Sequence, residues 1–219
     1  LTVYNRCNIT IWPATAPNNG FPVLVDDGSN LNPHQGRTIY APYGWVGRIW
    51  GRTGCNFGGN SAPTCDTGNC NGKIQCNETP GVPPATLVEV KLAADKGKPN
   101  VIDVSVIDGY NVPVKVVSLG SSNDCTIEGC TQDINNICPR DLQVVNKSGK
   151  VVACKSACLA FRNDYYCCTG AYSSADKCRS TPYSDFFKNA CPSYNVRALD
   201  PSSSTISCEA TELIITFCP

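Results

Sequence analysis

The 219-residue chain has no methionine, one histidine and no excess charge of either sign, with Lys plus Arg and Asp plus Glu at 18 each. Without a net field, nothing pulls it toward nucleic acid or an anionic membrane, and nucleic acid is not among its expected partners. No apolar run approaches the length of a membrane span. No Gly-x-Ser-x-Gly elbow and no Gly-x-x-x-x-Gly-Lys phosphate loop is present, so those hydrolase and nucleotide-site signatures are missing. There is no Cys-x-x-Cys knuckle, and His34 is the only imidazole. Zinc therefore lacks its usual ligand spacing, and the expectation is a protein without metal or cofactor.

Against these absences stand sixteen cysteines. So many thiols are incompatible with a reducing cytosol and become cross-links in an oxidising compartment. The number is even, and sixteen cysteines allow about two million pairings, so counting alone leaves the connectivity open. Two constraints are local. Cys167 and Cys168 are adjacent and are expected to reach different partners, while Cys7 and Cys218 sit where a bridge would staple the two ends of the sequence. The chain opens at Leu1 directly in a strand-like segment, as expected after removal of a secretion signal. Asn8-Ile-Thr10, Asn77-Glu-Thr79 and Asn146-Lys-Ser148 match the glycosylation acceptor triplet.

Short β-rich runs dominate: Thr2–Tyr4, Ile9–Trp12, Val46–Trp50, Leu87–Leu92, Val101–Ile107, Val112–Val117 and Leu213–Phe217. Clusters of Gly, Pro, Asn and Asp bound them, which predicts a β-sandwich or barrel with both chain ends in one sheet. Residues 54–84 carry four cysteines among small and polar residues and read as a disulfide-held loop region. Residues 125–191 carry nine cysteines and the only predicted helices, at 141–145, 153–160 and 184–189, the last with Ser184 as N-cap.

Strand parity sorts the acids. Val88, Val90 and Leu92 share one face, which leaves Glu89 on the face of Leu87 and Lys91. Asp103 and Ser105 lie opposite Ile102, Val104 and Val106. Asp108 precedes Gly109 and is expected at a strand end or turn, and Asp200 opens a Pro-Ser-rich stretch. Paired carboxylates of this kind can serve glycoside hydrolysis, and solvated strand-face acids are the alternative. Trp12, Trp45 and Trp50 are expected in core or half-buried strands, with sugar stacking the alternative. His34 is expected in a surface loop.

Several motifs carry a resemblance: Trp50-Gly-Arg-Thr-Gly-Cys55, Cys65-Asp-Thr-Gly-Asn-Cys70 with Cys76, Pro83-Pro-Ala-Thr-Leu-Val-Glu89, Asp108-Gly-Tyr-Asn-Val-Pro113, Cys138-Pro-Arg-Asp-Leu142, Tyr165-Tyr-Cys-Cys168 and Thr216-Phe-Cys-Pro219. Over essentially its whole length the chain resembles the pathogenesis-related thaumatin-like proteins of the osmotin and zeamatin type. The resemblance implies a mainly β fold. Its central β-sandwich would span 1–53, 85–131 and 192–219, with a disulfide-rich helical region at 132–191 and a small disulfide-rich loop region at 54–84. It implies the bridges Cys7–Cys218, Cys55–Cys65, Cys70–Cys76, Cys125–Cys208, Cys130–Cys191, Cys138–Cys154, Cys158–Cys167 and Cys168–Cys178.

It further implies a cleft lined by Arg48, Glu89, Asp103, Asp108 and Asp200, with Tyr110 as an aromatic binding surface and Glu89, Asp103 and Asp108 as the catalytic candidates. The implied function is that of a secreted, monomeric, antifungal plant defence protein of the extracellular space rather than the vacuole. Its implied partner is fungal cell-wall β-1,3-glucan, which it would bind with at most weak endo-β-1,3-glucanase activity. Inhibition of a microbial xylanase or amylase, or permeabilisation of fungal membranes, is the alternative. The chain departs from the family pattern at Asn69, usually Asp, at Tyr110, usually Phe, and at Ser193-Tyr-Asn-Val-Arg197. That last segment leads to Asp200, and its Arg197 is expected to reduce the acidity of the cleft.

Overall fold

A computed structural model of the protein describes residues 1–25, 29–58, 62–120, 125–200 and 205–219. In chain order its strands are β1 (Thr2–Asn5), β2 (Ile11–Pro17), β3 (Gly36–Thr38), β4 (Val46–Thr53), β5 (Leu87–Lys91), β6 (Asn100–Ser105), β7 (Val114–Leu119), β8 (Thr126–Ile127), β9 (Gln143–Val145), β10 (Val151–Cys154), β11 (Ile206–Cys208) and β12 (Glu212–Phe217). Three short helices interrupt them: α1 (Ala157–Phe161), α2 (Asp164–Cys167) and α3 (Pro182–Ala190).

Two five-stranded sheets form the sandwich, in the orders β3-β1-β12-β7-β8 and β11-β6-β5-β4-β2. Alternation along the strands decides what lies between them. Val3, Val114, Val116, Leu213, Ile215 and Phe217 from the first sheet meet Ile49, Val88, Val90, Ile102 and Val104 from the second in one buried cluster. The two ends of the sequence pair directly: β1 runs parallel to β12, and the Cys7–Cys218 bridge closes 211 residues just beyond that pairing. The remaining bridges are Cys55–Cys65, Cys70–Cys76, Cys125–Cys208, Cys130–Cys191, Cys138–Cys154, Cys158–Cys167 and Cys168–Cys178, the pairs that the family resemblance implies. No described helix is long and apolar enough to cross a membrane.

Local chemistry explains where the elements differ from the sequence reading. β2 starts at Ile11 rather than Ile9 because the Asn5 amide donates to the carbonyls of Ile9 and Leu31, while its oxygen accepts from Cys7 N. These bonds hold residues 7–9 in a bend. Pro13 and Pro17 are tolerated in β2 because it is an edge strand. The helix expected at 141–145 is a single turn, Arg140–Leu142, followed by β9. Val144 and Val145 favour strand, and Asn146 folds the chain back by accepting hydrogen bonds from the backbone of Ser148 and Lys150. The helix expected at 153–160 is shortened from its start. Ala153 and Cys154 belong to β10, and α1 begins after Ser156, which caps Leu159 N. Thr181, not Ser184, is the N-cap of α3; Ser184 occupies the third helical position and completes a reciprocal capping box.

Asn111, almost fully buried, ties three parts of the chain together. Its amide donates to Gly51 O and Thr67 Oγ1, both at 2.8 Å. Its side-chain oxygen accepts from Thr86 N and Val112 N, and its carbonyl accepts from Asn135 Nδ2 at 2.8 Å. The flanking Gly109 has φ +98°, and a Cβ there would lie 2.5 Å from the Pro84 side chain. Truncation at Asn111 leaves several buried groups without partners, each worth about 1–3 kcal/mol. Asn111→Ala is therefore expected to lower unfolding free energy by about 3 kcal/mol or more in a denaturant titration. On the loop-entropy account, removing the Cys7–Cys218 bridge by double alanine substitution costs about 5 kcal/mol, against about 2 kcal/mol for the Cys70–Cys76 ring. Chemical denaturation of the two double variants checks that order.

Candidate functional site

The outer face of the second sheet brings three of the expected residues into one row. Arg48 on β4 stands opposite Glu89 on β5, and Glu89 stands opposite Asp103 on β6. Directly opposed residues hold their Cβ atoms about 4.5–5.5 Å apart, so the register alone makes these side chains neighbours. Arg48 Nε donates to Glu89 Oε1 at 3.2 Å. Both side chains are partly open to solvent, so the ion pair orients the row more than it stabilises the fold.

Asp103 is the perturbed member. Burial first, and the neighbouring Glu89 charge second, push its carboxyl up from an ordinary 3.8 to about 6, against a lowering hydrogen bond with Asn195. Its Oδ1 is buried without a hydrogen-bond partner, which penalises the ionised form further. Asn195 is the residue that sequence reasoning passed over. Its N–H donates to Val104 O and its carbonyl accepts from Val106 N, both at 2.8 Å, so it is registered along β6 like a short extra strand. Next to it Tyr194 is buried, with its hydroxyl bonded to both the N–H and the carbonyl of Val114. The 193–197 segment is thus pinned to both sheets. The sequence singles it out as a departure and looks to Arg197 for its effect. Arg197 instead turns to the Cys178 carbonyl at 2.6 Å and to Asp200.

The other expected residues are placed differently. Asp108 is exposed in the turn after β6 and shares with Arg48 a pocket of about 180 Å³ walled by Trp50, Pro80, Pro83 and Leu87. The Asp200 side chain is only 5% exposed and forms an ion pair with Arg197 at 3.4 Å, so it offers little free charge to a ligand. The Pro-Ser-rich stretch that follows it lies outside the described residues. Tyr110 is a correction: it is 0% exposed, and its hydroxyl donates to Asp133 at 3.1 Å. A ring enclosed at the junction of β10 and the 133–136 turn presents no binding surface. Burial, reinforced by the Asp133 carboxylate, pushes its phenol far above the usual range. Trp45 and Trp50 are core residues, whereas Trp12 is half-buried with its ring 6.3 Å from that of Phe57. His34 is exposed. A second cavity, of about 470 Å³ around Leu1, Tyr43, Leu92 and Glu212, contains none of the expected site residues.

A family model described as the thaumatin family matches residues 5–219. The chain belongs to the thaumatin family. Pathogenesis-related protein 5 of Arabidopsis thaliana is 46% identical over 218 residues, covering 100% of this chain and 89% of that protein. Pathogenesis-related thaumatin-like protein 3.5 of Cryptomeria japonica is 41% identical with the same coverage. Among solved structures, the thaumatin-like xylanase inhibitor TLXI superposes with a TM-score of 0.53 at 22% identity, covering 100% of this chain and 98% of that one. At that identity the likeness establishes the shared fold.

One feature of this thaumatin family member lies outside the expected set. Phe161, Tyr165, Tyr166, Tyr172 and Tyr183 form a chain of ring contacts with centroids 5.2–5.7 Å apart. Phe161, Tyr165 and Tyr172 remain more than a third exposed.

The raised carboxyl sets the sign of a pH effect. Between its unfolded and folded pKa values Asp103 binds more proton in the native state, so stability falls as pH rises from about 4 to about 6. Asp103→Asn is expected to remove that component, giving a larger melting-temperature gain over wild type at pH 7 than at pH 4. Equal gains at both pH values would contradict the assignment.

Proposed function

We propose that the protein is a secreted plant defence protein that binds fungal cell-wall β-1,3-glucan along the Arg48–Glu89–Asp103 row, with little or no hydrolysis. The observation that carries this reading is the cross-strand register, which lines up one guanidinium and two carboxyls on a rigid sheet face. A glucan offers hydroxyls, and this row offers acceptors of graded charge with Arg48 as a donor. The pocket between Arg48 and Asp108 adds apolar walls for the ring faces of a sugar. Family membership and the names of the relatives support the defence role. The cysteine content supports an extracellular site of action. The 132–191 region and the 54–84 region serve in this reading as flanks to the sandwich, and the protein acts as a monomer.

Binding is favoured over catalysis for a physical reason. Asp103 has the raised pKa that suits a general acid, but its Oδ1 is buried and its carboxyl is held by Asn195. Glu89, the partner carboxylate, is engaged by Arg48. Two acids flanking a glycosidic bond need one to protonate the leaving oxygen and the other to reach the anomeric carbon or a water.

Inhibition of a microbial xylanase or amylase is the second reading. The exposed aromatic chain through Tyr165 favours it, because exposed tyrosines of this kind anchor protein interfaces.

Binding to soluble laminarin, measured calorimetrically together with release of reducing ends, tests the glucan reading. Wild type is expected to bind, and Glu89→Gln to weaken binding about tenfold, the loss of roughly one charge-assisted hydrogen bond. Absence of laminarin binding by wild type defeats the reading. Reducing ends released by wild type but not by Glu89→Gln would make the row catalytic.

A further inference from the structure

We propose that Asn8 is a site of N-linked glycosylation, selected over Asn77 and Asn146 by the order in which the fold can close. All three triplets carry the acceptor sequence, so sequence alone ranks them equally. The folded structure separates Asn146 from the other two. Asn8, in the bend between β1 and β2, and Asn77 are both exposed. The Asn146 side chain is occupied: its oxygen accepts from Ser148 N, Ser148 Oγ and Lys150 N, and its amide donates to Asp66 Oδ2 at 3.2 Å. The hydroxyls of the other two triplets are both engaged, since Thr10 Oγ1 donates to Asn32 Oδ1 at 3.3 Å and Thr79 Oγ1 accepts from Lys73 Nζ at 2.9 Å, so folding order is what ranks Asn8 above Asn77.

Topology adds a time to this difference. The transfer takes place on a chain that is still being made and folded. The Asn146 turn joins β9 to β10, and the Cys138–Cys154 bridge encloses that hairpin with a sequence separation of 16. Such a local hairpin closes in about 1–10 μs once it is synthesised. Asn77 directly follows a ring of separation 6 closed by Cys70–Cys76. Asn8, by contrast, follows β1 and Cys7, whose partners β12 and Cys218 come last. At about 5–20 residues per second, the intervening chain takes roughly 10–40 s to add. Throughout that interval the β1–β12 pairing and the Cys7–Cys218 bridge, which lock the strand leading into the Asn8 bend, cannot form. The cysteine framework requires folding in an oxidising compartment, where such transfer occurs.

The chemistry balances with a lipid-linked pyrophosphoryl oligosaccharide as donor. The Asn8 side-chain nitrogen attacks the anomeric carbon, a carbon–nitrogen bond forms, the bond from that carbon to the pyrophosphate oxygen breaks, and the lipid pyrophosphate leaves while the amide gives up one proton. The attachment point lies at the other end of β2 from the acid row. Asn8 precedes the Ile11 end of β2, whereas Arg48 pairs with Ala16 on the same strand, five residues or roughly 16 Å away.

The test is a peptide map of the protein secreted by plant cells, after glycan release by a peptide-N-glycanase in heavy-oxygen water, which marks each occupied asparagine as labelled aspartate. Asn8 is expected to be labelled at several-fold higher occupancy than Asn77 or Asn146. Asn8→Gln and Thr10→Ala should each remove that glycan, and Asn146→Gln should change the secreted protein's mass only by the one methylene that the substitution adds. An unlabelled Asn8 in the wild type, or occupancy at Asn77 or Asn146 equal to or above that at Asn8, overturns the proposal.

Discussion

The pairing of β1 with β12 is the constraint on which the rest of the fold depends. A parallel pair between the first and last strands cannot be supplied by any local turn; it exists only once the whole chain is present. It also sets the inner face of the first sheet, because Val3 must lie beside Ile215 for both to face the second sheet. The Cys7–Cys218 bridge then prevents the pair from parting, with a loop long enough for the entropic benefit to be near its maximum. Only against that closed inner face can β4, β5 and β6 bury their alternate residues. The outward set, including Arg48, Glu89 and Asp103, is what remains.

Placing two carboxyls side by side on a sheet is unfavourable, and the structure meets that cost from both sides. Arg48 neutralises Glu89 along the row, while Asp103 escapes repulsion by holding its proton to higher pH. Asn195 opposes the second solution by stabilising the ionised form. Its effect depends on Tyr194, since a segment bonded to β7 on one side and β6 on the other cannot drift away from the acid. The electrostatics of the row are therefore set by burial and by the neighbouring Glu89 charge and moderated by Asn195, a neutral residue in a segment where the family pattern is broken, while the arginine two positions later turns to Cys178 and Asp200.

Much of this was legible in the sequence, for reasons that also mark its limits. Alternation put Glu89 and Asp103 on outward faces because burial of Val88, Val90, Ile102 and Val104 is a local signal. Their mutual register was not legible, since it depends on which strands pair and with what offset. The 141–145 segment reads as helix in the sequence because its apolar spacing is ambiguous over five residues, and the turn at Asn146 makes it a strand instead. The 193–197 segment was recognised as unusual, yet which of its side chains meets the acid follows from backbone bridges that leave no trace in composition. Asp200 is a site residue that the family resemblance implies, and its burial against Arg197 is a tertiary fact.

Tyr110 shows how a motif can be read correctly and its meaning missed. Asp108-Gly-Tyr-Asn-Val-Pro113 leaves β6, turns, and enters β7, and in that short span it must satisfy polar groups from three regions at once. Asn111 takes the hydrogen bonds of Gly51, Thr67, Thr86 and Asn135, and Tyr110 fills the space against Cys154 and reaches Asp133. Gly109 is required because no Cβ fits beside Pro84. With those residues committed to the junction, Asp108 is the one side chain of the Asp108–Asn111 turn left exposed, and its direction toward Arg48 is fixed by groups that never meet solvent. The motif's part in any recognition at the acid row is thus to aim one carboxylate, and its aromatic ring contributes by rigidity rather than by contact.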